Sequence, residues 1–213
     1  MILANYYYYF KGALSPKFCD DVIAYGKQKQ EQVGITGQIK KRDFKKSPIT
    51  KKEMLDLKKT RDSNIVWMDD KWIYNQVHPY IDEANRAAGW NFDWDWSESC
   101  QFTKYKLNQF YSWHCDSVNP PYESPNNFNT HGKIRKLSVT CSLSDPSDYK
   151  GGELEFNYNH PEKTKKQNTV KCKEILTKGS IVVFPSHLYH RVKAVTKGTR
   201  YSLVMWNLGY PFK

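Results

Sequence analysis

What the chain lacks narrows it first. No run of 18 apolar residues occurs in its 213, so no helical membrane span is expected. The opening MILANYYYYFKG has no basic start, apolar stretch or small-residue cleavage site, so no secretory leader is expected. The 5 cysteines (Cys19, Cys100, Cys115, Cys141, Cys172) are odd in number, widely spaced and without a C-x-x-C pair. That usage argues against disulfides and structural zinc, and for reduced thiols in a cytoplasmic compartment.

Acidic residues are also scarce: 22 Asp and Glu stand against 33 Lys and Arg, a net charge of +11. The excess is clustered. Residues 27–60 carry 11 bases against 4 acids, and residues 162–173 carry 5 lysines against one glutamate. A patch for nucleic acid or another acidic partner is one reading. A solvated lysine-rich face is the other, and the few aromatics between the charges favour it.

At this length a single domain with a sizeable core is expected, over 1–213. Its first 99 residues read as mainly helical. LSPKFCDDVIAYGKQ has Ser15 as a cap, Pro16 at the first helical position and acids in the early turns. Thr50 and Glu53 form a capping-box pattern. DDKWIYNQVHPYIDEANRAAGW places Ile73, Val77, Tyr80, Ile81, Ala84 and Ala88 on one stripe, with a kink expected at Pro79. Beyond about residue 96 the pattern changes to short strands punctuated by Gly151-Gly152, Lys178-Gly179 and Lys197-Gly198. Helices followed by many antiparallel strands predict an α+β, mainly β chain, a sandwich or barrel with helices packed outside it. Segments 34–48 and 119–132 are candidate lids or walls, or plain surface loops.

The stretch QFYSWHCDSV (109–118) carries the chemistry. On a strand, alternation puts His114 and Asp116 on one face and Cys115 on the other. Chance alone supplies about 0.4 such His-x-Asp pairs in a chain of this composition, so a third ligand must decide. His187 sits in an expected turn after Pro185-Ser186. His190 opens the expected strand HRVKAV with Val192 and Ala194 facing in, and is the better ligand. Two imidazoles and a carboxylate match the facial triad of non-haem Fe(II) oxygenases, whereas zinc favours a fourth ligand. Otherwise His114 is a satisfied core histidine and Asp116 a turn former.

In TRYSLVMWNL, Arg200 shares a face with Ser202, Val204, Trp206 and Leu208. If that face is inward, the guanidinium is buried and needs an anion. A turn at Lys197-Gly198 would pair this strand with HRVKAV and set Arg200 beside Ala194. That is four residues beyond His190, roughly 13 Å of backbone. A five-carbon dicarboxylate chelating a metal at one end would span much of the gap and be gripped by Arg200 at the other. The alternative is a structural pair with Glu153 or Glu155.

The run YKLNQFYSWHCD … RKLSVTCSLSDPSDYKGGELEF … GSIVVFPSHLYHRVKAVTKGTRYSLVMWNLG resembles the catalytic domain of Fe(II)/2-oxoglutarate-dependent dioxygenases. Within them it is similar to the prolyl 4-hydroxylase-like branch and the small PKHD-type hydroxylases of bacteria and phages. The resemblance covers about 100–209 and implies a double-stranded β-helix, a jelly-roll or cupin-like barrel, preceded by supporting helices. It implies Fe(II) on His114, Asp116 and His190. Arg200 would hold the distal carboxylate of 2-oxoglutarate, with Tyr105 and Ser202 assisting and Trp206 near the reaction pocket. O2 as co-substrate, ascorbate as reductant, and the cytoplasm of a bacterium or phage-infected cell come with it. Arg200 stands where collagen-type prolyl hydroxylases use lysine, which leaves the substrate open. Related halogenases lack the carboxylate of Asp116, so its presence implies hydroxylation.

The expected reaction is hydroxylation of a C–H bond, foremost in a peptidyl proline, with 2-oxoglutarate decarboxylated to succinate. A non-prolyl substrate is the alternative. Nucleic-acid demethylation of the AlkB type is not favoured, because RYSLVMW lacks that family's second arginine. A non-catalytic binding module would be expected to have lost these residues.

Overall fold

The computed structural model describes residues 5–36, 46–117, 120–159 and 168–212. Helix α1 (Pro16–Gln28) begins as its sequence predicts, with the Phe18 amide donating to Ser15 Oγ at 3.1 Å and Pro16 in the first turn. Its acids lie one turn further in, and none is in the first turn. Helix α2 (Lys51–Thr60) has the reciprocal capping box, with Glu53 N–H donating to Thr50 Oγ1 and Thr50 N–H donating to the Glu53 carboxylate. Helix α3 (Lys71–Ala87) runs through Pro79. Its buried stripe is Ile73, Val77, Ile81 and Ala84, continued by Ala88 at the cap, while Tyr80 is half-buried and donates to the Ala13 carbonyl.

The strands are β1 (Tyr8–Phe10), β2 (Gln32–Val33), β3 (Arg61–Asp62), β4 (Asn64–Met68), β5 (Trp96–Ser97), β6 (Cys100–Tyr105), β7 (Phe110–His114) and β8 (Ile134–Ser142). They continue as β9 (Tyr149–Gly151), β10 (Leu154–Asn157), β11 (Thr169–Lys171), β12 (Ile181–Pro185), β13 (Tyr189–Val192), β14 (Val195–Gly198) and β15 (Arg200–Gly209). The larger sheet has the order β1-β12-β8-β15-β6-β4-β2, with β5 on β15. The smaller has the order β11-β10-β13-β7-β3, and β14 pairs with β9. The paired strands of these sheets are antiparallel.

Alternation along β8 and β15 divides the molecule. Leu137, Val139, Cys141, Leu203 and Met205 join Phe18, Val22, Ile73, Val77 and Ile81 of α1 and α3 in the main core. Thr140, Arg200, Ser202, Val204 and Trp206 point the other way, into a cavity. A second cluster, including Leu154, Phe156, Val182 and Phe184, brings residues of the two sheets together.

Three expectations are corrected. Among the described residues, the first hundred hold all three α-helices but also give β1, β2, β4 and β5 to the larger sheet and β3 to the smaller. HRVKAV is two strands, β13 and β14, and Ala194 between them is exposed. The turn at Gly198 does not join a hairpin: β14 pairs with β9, whereas β15 pairs with β5, β6 and β8. Of the two loop candidates, residues 37–45 and 119 lie outside the described residues, as do 162–167 of the second basic segment. No described helix is long and apolar enough to cross a membrane, and all five cysteines are free thiols.

Candidate active site

The smaller sheet aligns the two histidines. His190 on β13 lies between Phe156 on β10 and His114 on β7, each a direct register partner. Strand β7 ends at His114, so Asp116 is placed by a turn rather than by pleat alternation. Its amide donates to the Ser186 carbonyl at 2.9 Å. One ligand atom from each of His114, Asp116 and His190 lies within 4.8 Å of the others. His187 is elsewhere, its ring facing Phe212.

Local bonding prepares these atoms. His114 Nδ1 faces the Ser112 carbonyl at 2.8 Å, and His190 Nδ1 faces the Leu188 carbonyl at 3.0 Å. A carbonyl only accepts, so each Nδ1 carries the proton and each Nε2 keeps its lone pair. Those Nε2 atoms approach Asp116 at 3.7 Å from His114 and 3.5 Å from His190. Ser138 Oγ donates to Asp116 Oδ2 at 2.8 Å and is itself 2.8 Å from Ser186 Oγ. Burial, and then the neighbouring His190, push the His114 imidazole down to about 3. Burial alone would raise Asp116, but the two imidazoles, Arg135 and Ser138 hold it at about 2. Two Nε2 atoms turned toward one carboxylate suit a divalent first-row cation.

On the facing sheet, Arg200 is 2% exposed and is the register partner of Tyr105. Its Cζ is 5.6 Å from the Tyr105 ring, and Nη1 donates to Ser202 Oγ at 3.3 Å. The structural pair considered from sequence is excluded. Glu155 binds Arg191 at 2.7 Å and Glu153 binds Lys171 at 3.0 Å. Gly152, at φ +64°, leaves room for Arg200, because a Cβ there would stand 2.9 Å from Arg200 Cδ. Trp206 lies under the Arg135 guanidinium at 4.0 Å, and Arg135 pairs with Glu98 at 2.5 Å.

These groups share one open cavity of about 1390 Å³. The segment 120–132 contributes Tyr122, Ser124, Asn127 and Thr130 to its wall, and 34–36 contributes Ile35 and Thr36. Sequence reasoning missed Ser138, Arg135, Tyr111 and Arg61. The polar alternation Ser138-Thr140-Ser142 in an otherwise apolar strand was a usable signal for the first. Tyr111 stacks on the His114 ring at 3.5 Å, which no local pattern announces.

Two antiparallel sheets with a His-x-Asp…His centre on one and a buried arginine on the other define a class of β-fold metal site. The particular family follows from comparison: the family model of the 2OG-Fe(II) oxygenase superfamily matches residues 100–207, and the chain belongs to that family. Among curated relatives, a PKHD-type hydroxylase of Psychrobacter sp. (strain PRwf-1) is 34% identical over 110 residues, 49% of this chain and 36% of that protein. PKHD-type hydroxylase YbiX of Escherichia coli is 38% identical over 106 residues, 49% of this chain and 40% of that protein. The matches thus span less than half the length of those relatives. Among solved structures, a viral collagen prolyl hydroxylase of Paramecium bursaria Chlorella virus-1 aligns at a TM-score of 0.61 and 20% identity, covering 97% of both chains. A Trichoplax adhaerens prolyl hydroxylase, solved with a peptide fragment of hypoxia inducible factor, aligns at 0.63 and 18% identity over 96% of this chain and 84% of that one. These likenesses establish the shared fold.

Proposed function

We propose that this chain is an Fe(II)- and 2-oxoglutarate-dependent oxygenase that hydroxylates a C–H bond of a peptidyl proline. The observation that carries the reading is the convergence of His114, Asp116 and His190 opposite a buried arginine with no carboxylate partner among the described residues. The two sheets are read as the double-stranded β-helix of the family, within a single domain over 1–213 whose catalytic part is 100–209.

In this reading His114 and His190 hold Fe(II) through Nε2 and Asp116 through its carboxylate. Arg200 grips the distal carboxylate of 2-oxoglutarate, with Tyr105 and Ser202 beside it, and Trp206 walls the substrate pocket. Bound iron and 2-oxoglutarate together supply O2 activation, giving succinate, carbon dioxide and a hydroxylated product, with ascorbate as reductant. The chain's own work is positional. Ser112 and Leu188 fix the imidazole rings, Ser138 and Ser186 fix Asp116, and burial of Arg200 excludes water from the anion it holds. A peptide partner is favoured by the open cavity, and a cytoplasmic setting by five free thiols.

The test is mass spectrometry after incubation with Fe(II), 2-oxoglutarate, ascorbate, air and proline-containing peptides. One added oxygen on proline, absent with His114→Ala, is the expected result. Succinate formation with every peptide left unmodified would overturn the prolyl assignment for that panel and keep the oxygenase reading.

A further inference from the structure

Among the described residues, four buried side-chain atoms lack a hydrogen-bond partner: Thr36 Oγ1, Arg61 Nη2, Arg200 Nη2 and Trp206 Nε1. All four residues line the same cavity. Unpaired buried polar atoms are costly, so their concentration in one place marks where ligands complete the bonding. The proposed co-substrate accounts for Arg200, and Trp206, under the Arg135 guanidinium further along β15, belongs to the wall read above as the substrate pocket. Thr36 and Arg61 are left over.

Arg61 is held as firmly as Arg200. It is 4% exposed, with Nε donating to Ser63 Oγ at 2.8 Å and Nη1 to the Ile35 carbonyl at 3.3 Å. Its Cζ lies 4.6 Å from the Tyr111 ring, which in turn stacks on His114. Gly34 makes the seat: a Cβ there would stand 2.6 Å from Arg61 Nε. The acids of the cavity that have partners are committed elsewhere, Asp95 to Lys133 and Glu98 to Arg135. Asp69 is exposed, and no described ion pair reaches Arg61.

Charge points the same way. With a divalent cation on Asp116 and a dicarboxylate on Arg200 the centre would be electrically neutral, and among the described cations lining the cavity Arg61 is then the buried one left without a counter-ion. We infer that Arg61, with Thr36, binds a carboxylate of the primary substrate, so that the enzyme selects an acidic peptide. The count rests on the oxygenase reading above for the co-substrate's share of the charge. One unit of charge, one free guanidinium nitrogen and one hydroxyl match a carboxylate; a dianionic phosphate would call for more donors. Arg61 sits on the edge strand of the smaller sheet and Arg200 on the larger, so the two anions are held from opposite walls.

The experiment uses the full chain loaded with Mn(II) and N-oxalylglycine, an unreactive analogue of 2-oxoglutarate. Binding of matched peptides is measured by calorimetry, with Glu or Gln next to a central proline, and again with alanine in place of that proline. The wild type is expected to favour the Glu peptide by at least about tenfold in both pairs, as for a hydrogen bond to a charged group. Arg61→Gln should bring the two within about twofold, and Arg61→Lys should fall between, with N-oxalylglycine affinity unchanged in both. That unchanged affinity also reports that the variants fold. Equal binding of Glu and Gln peptides by the wild type, or a preference surviving Arg61→Gln, overturns the proposal. So does weaker N-oxalylglycine binding in Arg61→Gln, which would make Arg61 a co-substrate clamp. Acid preference in the alanine pair with no proline hydroxylated anywhere keeps this site and removes the prolyl reading. Hydroxylated proline without acid preference does the reverse.

Discussion

His114 and His190 are direct partners across β7 and β13, with ring centroids 4.1 Å apart. Each ring donates its Nδ1 proton to the carbonyl two residues earlier, so the pairing delivers two free Nε2 atoms to one point. His190→Ala and Asp116→Asn should weaken Mn(II) binding, read by electron paramagnetic resonance, by more than the roughly 10- to 100-fold typical of outer-shell losses. His187→Ala should leave it unchanged. Equal effects at His187 and His190 would sink the assignment.

Ser138 lies behind the carboxylate, buried and bonded to both Asp116 and Ser186. Ser138→Ala removes the hydroxyl that orients Asp116 and should lower Mn(II) affinity roughly 10- to 100-fold. Ser138→Thr, which keeps the hydroxyl, should recover much of it. Full metal affinity in the alanine variant would show that the backbone bond from the Asp116 amide to the Ser186 carbonyl suffices.

Arg200→Gln removes the charge opposite the metal ligands. Losing one partner of a buried charged pair costs about 2–5 kcal/mol, so KM for 2-oxoglutarate should rise at least about 30-fold. Metal binding should be untouched. Gly152→Ala should raise the same KM by a different route, since its methyl group would press on Arg200 Cδ from a backbone at φ +64°.

Stability of the metal-free protein should fall as pH drops below neutrality. Folded His114 takes up its proton only near about 3, against 6.5 for a solvent-exposed imidazole as in the unfolded chain, so between those values the unfolded chain binds more protons. Each such group contributes a slope of up to about 1.4 kcal/mol per pH unit, favouring the folded state as pH rises. His78 and His187, also lowered by burial, add the same sign. Urea midpoints at pH 7 and pH 5 measure the sum, and His114→Gln should reduce the difference.

Much of this centre was legible because its residues sit on strongly patterned strands. His190 stood out from His187 by its place in a strand, and Arg200 by an inward parity shared with Val204. The Gly198 turn misled for a physical reason: a glycine turn between two short strands is the local signature of a hairpin. Here β15 instead found longer partners in β6 and β8, and long-range pairing outweighed proximity in sequence. Arg61 was invisible among surrounding lysines, because its seat depends on Gly34, brought from the segment after β2, together with Ser63 between β3 and β4. Asp116 was placed on the correct side for an incomplete reason, since a turn bonded to Ser186 sets it after β7 has ended.

The division of labour between the sheets has a mechanical consequence. The proposed metal ligands come from β7, β13 and the turn after β7, while Arg200 and Tyr105 come from β15 and β6 of the other sheet. In the proposed reading, a diacid held at both ends would act as a bolt through two plates. Whatever tightens one anchorage must steady the other, and by reciprocity each ligand raises the affinity for its companion. Amide hydrogen exchange in β7 and β13 should slow when diacid joins metal, although the diacid's far end is gripped on the opposite plate.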